Sequence, residues 1–164
     1  KIFCPGYRIG WVAAAPQILS KLIFVKQGAD LQASTISQRE VSKFIDVYDL
    51  DAHVEKIKKV YARRRDLMLK TMGETFPEGL QYTYPEGGLF TWVELPSHLD
   101  ARKIMERCLE NNVAYVPGGS FFPNGGKENT FRLNYSNMPE EKIVEGIKRL
   151  SVALKEAMTE TVEA

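Results

Sequence analysis

Two basic side chains, Lys1 and Arg8, lie seven residues apart at the start of the sequence, with the pair Pro5-Gly6 between them. A lysine amine can form a Schiff base with a carbonyl carbon, and crowding or burial makes its deprotonation easier. An arginine guanidinium offers a planar fork of donors that matches phosphate oxygens. Because Pro5-Gly6 lets the chain bend, both side chains can reach one ligand. The spacing is compatible with a site for a small phosphorylated aldehyde, but a lysine and an arginine at this separation are by themselves more commonly two solvated charges.

Arg132 is a second candidate, because it lies among residues of high strand propensity between Asn129 and Ser136. A lone arginine on a strand commonly points to solvent. A carboxylate ligand, however, is held best by a bidentate partner, and the guanidinium fork supplies one.

Four sequence patterns together resemble the fold-type-I aminotransferases of class I/II, and most nearly their 2-aminoadipate and MocR-like branch. Lys1 to Trp11 is K-x-x-x-P-G-x-R-x-G-W, and residues 85–96 are P-x-G-G-L-F-x-W-x-x-L-P. Residues 113–121 are V-x-x-x-P-G-x-x-F, and residues 131–136 are F-R-L-x-Y-S. The resemblance covers nearly the whole chain.

The resemblance implies an enzyme that moves an amino group between an L-amino acid and a 2-oxo acid with pyridoxal 5′-phosphate. Lys1 would hold the cofactor and carry a proton between the substrate Cα and the C4′ atom of the cofactor. Arg8 would bind the cofactor phosphate, and Arg132 the substrate carboxylate. Gly87 and Gly88 would shape the substrate pocket, although by themselves they are also typical of a hairpin turn.

In this family the lysine lies deep in a longer chain, so we expect these residues to be the C-terminal part of a larger enzyme. Residues 1–50 would be the remnant of the large cofactor-binding domain, and residues 51–164 a small α/β domain that includes a long interdomain helix. The missing N-terminal large domain would supply the groups around the pyridine ring, so the isolated chain should be inactive. The resemblance also implies a homodimer.

Two alternatives stay open. The first is a lyase or synthase on the same fold, because several pyridoxal enzymes use the same lysine and arginines. The second is the aminotransferase-like effector domain of a MocR-type transcription regulator, which would bind the cofactor as a sensor.

The composition excludes several classes of partner. The 164 residues carry 22 basic and 21 acidic side chains, so a net charge of +1 gives no general attraction to nucleic acid or to an anionic membrane. The apolar runs are too short to cross a bilayer. Cys4 and Cys108 lie in unrelated contexts, and only two histidines accompany them. We therefore expect reduced thiols in a cytoplasmic protein, with no metal site.

The elements that position these residues follow from periodicity and from Gly and Pro punctuation. Ile9–Ala15 is predicted to be a buried strand, and Asp51 is predicted to cap a long helix that Gly73 and Pro77 end. Further helices are predicted from Pro16 to Gly28, through Val41 to Tyr48, from Asp100 to Asn111 and from Pro139. In the third of these the residues expected to point inward are Ile104, Met105, Cys108 and Leu109, and the last has the apolar stripe Ile143, Ile147, Leu150 and Leu154. Short strands are predicted at residues 79–83, 88–95, 113–116 and 130–135, and a polar tail from Thr159.

Overall fold

The computed structural model describes residues 1–160, of which Glu160 is described only by its backbone. The chain divides into two compact units, Lys1–Lys56 and a second unit that begins at Ile57.

The first unit contains helices α1 (Pro16–Ala29) and α2 (Thr35–Val47), and the long helix α3 (Leu50–Thr75) begins within it. Pro16 is the first residue of α1, where its missing N–H costs no helical hydrogen bond. Ser34 caps α2, since its Oγ accepts from the amide of Ser37 at 3.3 Å. No residue of α1 or α2 is buried.

Two predictions for the first unit are wrong. Ile9–Ala15 has no regular structure, because all four strands of the sheet that the structure describes lie after residue 80, so this run has no strand to pair with. Asp51 does not cap α3. The cap is Asp49, whose Oδ1 accepts from the amide of Ala52 at 2.9 Å, and Asp51 lies in the first turn, where its charge favours the helix dipole.

The second unit is built on a four-stranded antiparallel sheet in the order β1-β2-β4-β3. The strands are β1 (Gln81–Tyr82), β2 (Phe90–Glu94), β3 (Val116–Pro117) and β4 (Thr130–Asn134). Val93 pairs with Phe131, and Trp92 pairs with Arg132. Since side chains alternate along a strand, Val93 and Phe131 share the buried face, whereas Trp92 and Arg132 share the opposite face.

Three helices supply the rest of the hydrophobic core around the buried face: the second half of α3, α4 (Ala101–Glu110) and α5 (Glu140–Glu160). Asp100 caps α4, because its Oδ1 accepts from the amide of Arg102 at 2.7 Å. The hydroxyl of Ser151 on α5 donates to the carbonyl of Thr75 at the end of α3. The largest fully buried helical side chains in this core are Met72, Cys108, Leu150 and Leu154.

The predicted α/β class is confirmed, and the stripe predicted for the last helix is buried at Ile143, Ile147, Leu150 and Leu154. Three finer predictions are wrong. Leu109 was expected to point inward and is 56% exposed, Gly73 lies inside α3, and the last helix continues through Thr159 to Glu160. The remainder of the predicted tail, residues 161–164, lies outside the described residues. Within residues 1–160, no helix combines the length and the apolar character needed to cross a membrane.

Leu150→Ala is expected to lower the free energy of unfolding by about 2–5 kcal/mol, because it leaves a cavity at a fully buried site. The matched control is Val152→Ala on the same helix, where the side chain is 49% exposed and the change should stay below about 1 kcal/mol. Urea unfolding followed by circular dichroism measures both. Equal effects of the two substitutions would contradict this account of the core.

Cys108 is fully buried on α4, and this burial raises the pKa of its thiol to about 11. An unfolded thiol titrates near about 8.5. Because the folded pKa is the higher one, the thiol stabilises the fold fully below about pH 8.5, and that contribution is lost as the pH rises towards 11.

We therefore expect Cys108 to resist alkylation by iodoacetamide in the native protein at a mildly alkaline pH, since the thiolate is the reacting species. The same cysteine should be alkylated after unfolding in guanidinium chloride. Peptide mapping by mass spectrometry distinguishes the two results. Rapid alkylation of Cys108 in the native protein would show that the thiol is not buried as described.

Candidate functional site

The segment that carries Lys1 and Arg8 folds into a tight turn. Pro5–Tyr7 form a single 3-10 turn, in which the amide of Tyr7 donates to the carbonyl of Cys4 at 3.1 Å and the amide of Arg8 donates to the carbonyl of Pro5 at 3.2 Å. Arg8 then adopts a left-handed backbone with φ of 54°, which is uncommon for a residue with a side chain. Lys1 and Arg8 are both exposed.

An aromatic cluster holds this turn within the first unit. The ring of Phe3 stacks on Phe44 of α2 with centroids 4.0 Å apart, and Phe44 also contacts Tyr48 and His53. Nε2 of His53 lies 3.0 Å from the carbonyl oxygen of Ile2. The backbone immediately after Lys1 is therefore fixed on the first turn of α3 and on α2.

The donors of this turn suit a phosphorylated aldehyde. Within residues 1–160 neither Lys1 nor Arg8 forms an ion pair, and the only side-chain bond of Arg8 is a long one of 3.5 Å from Nη1 to the carbonyl of Pro5. A primary amine and a guanidinium that are not neutralised by carboxylates can accept a carbonyl carbon and a phosphate respectively.

Arg132 lies on β4 in the second unit, half-buried on the face of the sheet opposite the core. Its guanidinium carbon Cζ lies 3.9 Å from the ring centroid of Phe90 and 4.7 Å from that of Phe121. Among the described residues, no acceptor takes a hydrogen bond from this guanidinium, although Arg64 and Arg65 of the same unit both donate to carbonyls. Arg132 is therefore stabilised by aromatic rings and keeps its N–H donors for a ligand.

Gly87 and Gly88 form the turn that leads into β2. Gly88 has a φ of +86°, which favours glycine, and the phenol of Tyr135 donates to the carbonyl of Gly87 at 3.1 Å. Burial raises the pKa of Tyr135, so this donor stays protonated. Nη1 of Arg65 donates to the carbonyl of Pro85 at 3.1 Å. The turn is thus tethered through its carbonyl groups to the end of β4 and to α3.

The run Arg63-Arg64-Arg65 has a different role from the one its charge suggests. A solvated helix face or an interdomain ion-pair surface is the sequence-based expectation for such a run. Arg63 agrees with this expectation, because it is exposed and forms an ion pair with Glu140. Arg64 does not, because it is half-buried and donates through Nη1 to the carbonyl of Ser136 at 2.6 Å. Arg65 fits in part, because it forms an ion pair with Asp66 but is half-buried and also donates to the carbonyl of Pro85.

The structure brings Arg132 together with the strand that follows Gly87 and Gly88, and it places Lys1 and Arg8 in the other unit. Sequence reasoning missed Phe121 as a partner of Arg132, and it missed Arg65. The alternation of Phe90 and Trp92 with the buried residues of β2 was a usable signal for aromatic side chains on the face of Arg132. Nothing in the sequence distinguished Arg65 from its neighbours.

The fold and these motifs define a class, and comparison with known proteins gives the family. Residues 2–150 match the family described as aminotransferase class I and II. The chain belongs to this family, as the four sequence patterns predicted.

Two relatives and one solved structure illustrate the similarity. The chain is 47% identical to aromatic-amino-acid aminotransferase 1 of Thermococcus litoralis over 96% of its own length and 38% of that protein. It is 42% identical to the 2-aminoadipate transaminase of Thermus thermophilus, over 94% of this chain and 39% of that protein. The crystal structure of alpha-aminoadipate aminotransferase from Thermus thermophilus, complexed with N-(5′-phosphopyridoxyl)-L-leucine, superimposes with a TM-score of 0.85. It is 41% identical, over 94% of this chain and 40% of that one. The chain thus spans about two fifths of the length of these relatives.

Proposed function

We propose that this chain is the C-terminal part of a pyridoxal 5′-phosphate-dependent aminotransferase, which moves an amino group between an L-amino acid and a 2-oxo acid. The observation that carries the proposal is the state of Arg132, a half-buried guanidinium held by two aromatic rings with its N–H donors unused by the described residues. Both substrates of such a reaction carry a carboxylate next to the reacting carbon. One bidentate arginine therefore serves the two of them in turn.

In this proposal Lys1 and Arg8 hold the cofactor, Lys1 through its amine and Arg8 through the phosphate. When bound, pyridoxal phosphate supplies a conjugated ring that draws electrons from the substrate Cα. The Lys1 amine would act as the general base that takes the proton from the substrate Cα and as the general acid that returns it at C4′. Arg132 would fix the substrate carboxylate, and so it would restrain the orientation of the substrate Cα–H bond. Gly87 and Gly88 shape the substrate pocket, since a Cβ at either position would project into open space.

We propose that the whole protein has a large N-terminal domain. Residues 1–50 are the last part of this domain, and residues 51–164 form the small domain. Two observations support this domain. The relatives are much longer than this chain, and apolar side chains before and along α1 are exposed, with Trp11 86% exposed and Phe24 70% exposed. Large apolar side chains exposed in such number are typical of a surface that another part of the protein covers. We further propose a homodimer, and a cytoplasmic location that suits the free thiols of Cys4 and Cys108.

Borohydride reduction of the full-length protein with pyridoxal phosphate is expected to fix a phosphopyridoxyl group on Lys1. Peptide mapping locates the label, and Lys21 and Lys26 serve as internal controls because both lie on α1. Label on Lys21 or Lys26 instead of Lys1 would show that the cofactor lysine has been misassigned.

Arg132→Lys keeps the positive charge but loses the paired geometry, so both half-reactions should fall by similar factors, about 10- to 100-fold in kcat/KM. Single-turnover absorbance measures the two steps, first with an amino donor and then with a 2-oxo acid. The matched control is Arg102→Lys on α4, whose exposed guanidinium donates to the Ser120 hydroxyl, and it should leave both rates unchanged.

The same measurement separates the alternatives. Release of ammonia and pyruvate would indicate a lyase. Binding of amino acids with no amino transfer, across a broad panel of donors, would indicate a sensor domain of a transcription regulator. Either result would contradict the proposed aminotransferase.

A further inference from the structure

Two side chains from separate elements contact the guanidinium of Arg132. Phe90 lies on β2, two residues before Trp92, which is the direct partner of Arg132 across the strand pair. Because residues two apart on a strand share a face, Phe90 is a diagonal neighbour of Arg132. Phe121 comes from the loop after β3, at the end of a 3-10 turn that spans Gly118–Phe121.

The loop is shaped to bring Phe121 onto Arg132. Gly118 is buried, and a Cβ at this position would lie 2.0 Å from Oγ1 of Thr130 and 2.8 Å from Cζ2 of Trp92. Only glycine therefore allows the turn to approach the sheet this closely. The ring of Phe121 then meets Trp92 edge-on, with centroids 5.7 Å apart and planes at 68°.

Burial in the core does not explain the position of Phe121, because the residue is 46% exposed. The neighbouring Phe122 offers a direct comparison. Its ring also meets Trp92 edge-on, at 6.3 Å, but among the described residues only the rings of Phe90 and Phe121 form cation–π contacts with Arg132. Contact with the guanidinium is what distinguishes the two phenylalanines.

An aromatic face attracts a guanidinium, and the attraction grows where water is partly excluded. Arginine has large rotamer freedom, which a ligand must otherwise remove when it binds. A guanidinium already restrained by two rings loses less freedom when it receives a carboxylate, so its affinity rises. No hydrogen-bond acceptor is needed for this restraint, and the N–H donors stay available.

We propose that Phe90 and Phe121 are positioning residues that hold the Arg132 guanidinium ready for the substrate carboxylate. The inference rests on the proposed function, because the ligand is the carboxylate of the amino acid or 2-oxo acid. It adds that the loop after β3 sets the affinity for this carboxylate through Phe121.

The variants are Phe121→Leu, the conservative Phe121→Tyr and the control Phe122→Leu, all in the full-length protein loaded with pyridoxal phosphate. In crystals of Phe121→Leu, the Arg132 guanidinium should move from its position or occupy more than one. It should keep a single position in Phe121→Tyr and in Phe122→Leu. An unchanged, fully ordered guanidinium in Phe121→Leu would overturn the proposal.

The kinetic test uses L-phenylalanine and L-leucine as donors and 2-oxoglutarate as acceptor. Phe121→Leu should raise KM by about threefold to tenfold for donor and acceptor, with little change in kcat, because it weakens a preorganised contact. Phe121→Tyr should restore KM, and Phe122→Leu should leave it unchanged. The dissociation constants of 2-phenylethylamine and 3-methylbutylamine, which lack the carboxylate, should be equal in Phe121→Leu and wild type.

The outcomes separate this inference from the proposed function. If the wild-type protein transfers no amino group, the proposed function fails, and the crystals still decide whether the rings restrain Arg132. If the wild type is active and Phe121→Leu keeps the wild-type KM, the positioning role is wrong. An equal loss of affinity for the amines would also overturn it, because the effect would then not act through the carboxylate.

Discussion

The antiparallel pairing of β2 with β4 is the constraint on which the second unit depends. Its register places Val93 beside Phe131 on one face and Trp92 beside Arg132 on the other. A shift of one residue would send Arg132 into the core and expose Phe131, at the cost of burying an unpaired charge. The same pairing that buries the hydrophobic face thus presents the guanidinium on the opposite face, so stability and the candidate site share one structural cause.

Helix α3, on the core side of the sheet, helps to fix this register. Arg64 and Arg65 on α3 bind the carbonyls of Ser136 and Pro85, which lie after β4 and before β2 respectively. Tyr135 adds a bond to Gly87. The ends of the two central strands are therefore attached to the same helix, and the turn at Gly87-Gly88 is held through its backbone while its glycines stay open to solvent.

Sequence patterns predicted the elements whose cause is local. The stripe of α5 follows from apolar residues at helical spacing, and Pro16 begins α1 because proline is tolerated there. The prediction of a strand at Ile9–Ala15 is wrong because an apolar run becomes a strand only where a partner strand exists, and no local pattern reveals the partner. Asp49 and Asp51 are chemically equal candidates for a cap, and only the backbone geometry distinguishes them. For the candidate site, the motifs predict Lys1, Arg8 and Arg132, and these assignments stay predictions. The contact of Phe121 with Arg132 depends on a close approach across a loop, which no motif shows.

In the proposed enzyme, Arg132 receives the substrate carboxylate. The most direct test is a crystal structure of the full-length protein with pyridoxal phosphate and a bound amino acid. We expect two N–H groups of Arg132 to donate to the carboxylate oxygens at about 2.7–2.9 Å, with Phe90 and Phe121 still against the guanidinium. A carboxylate held by other residues, with the Arg132 donors left to solvent, would contradict it.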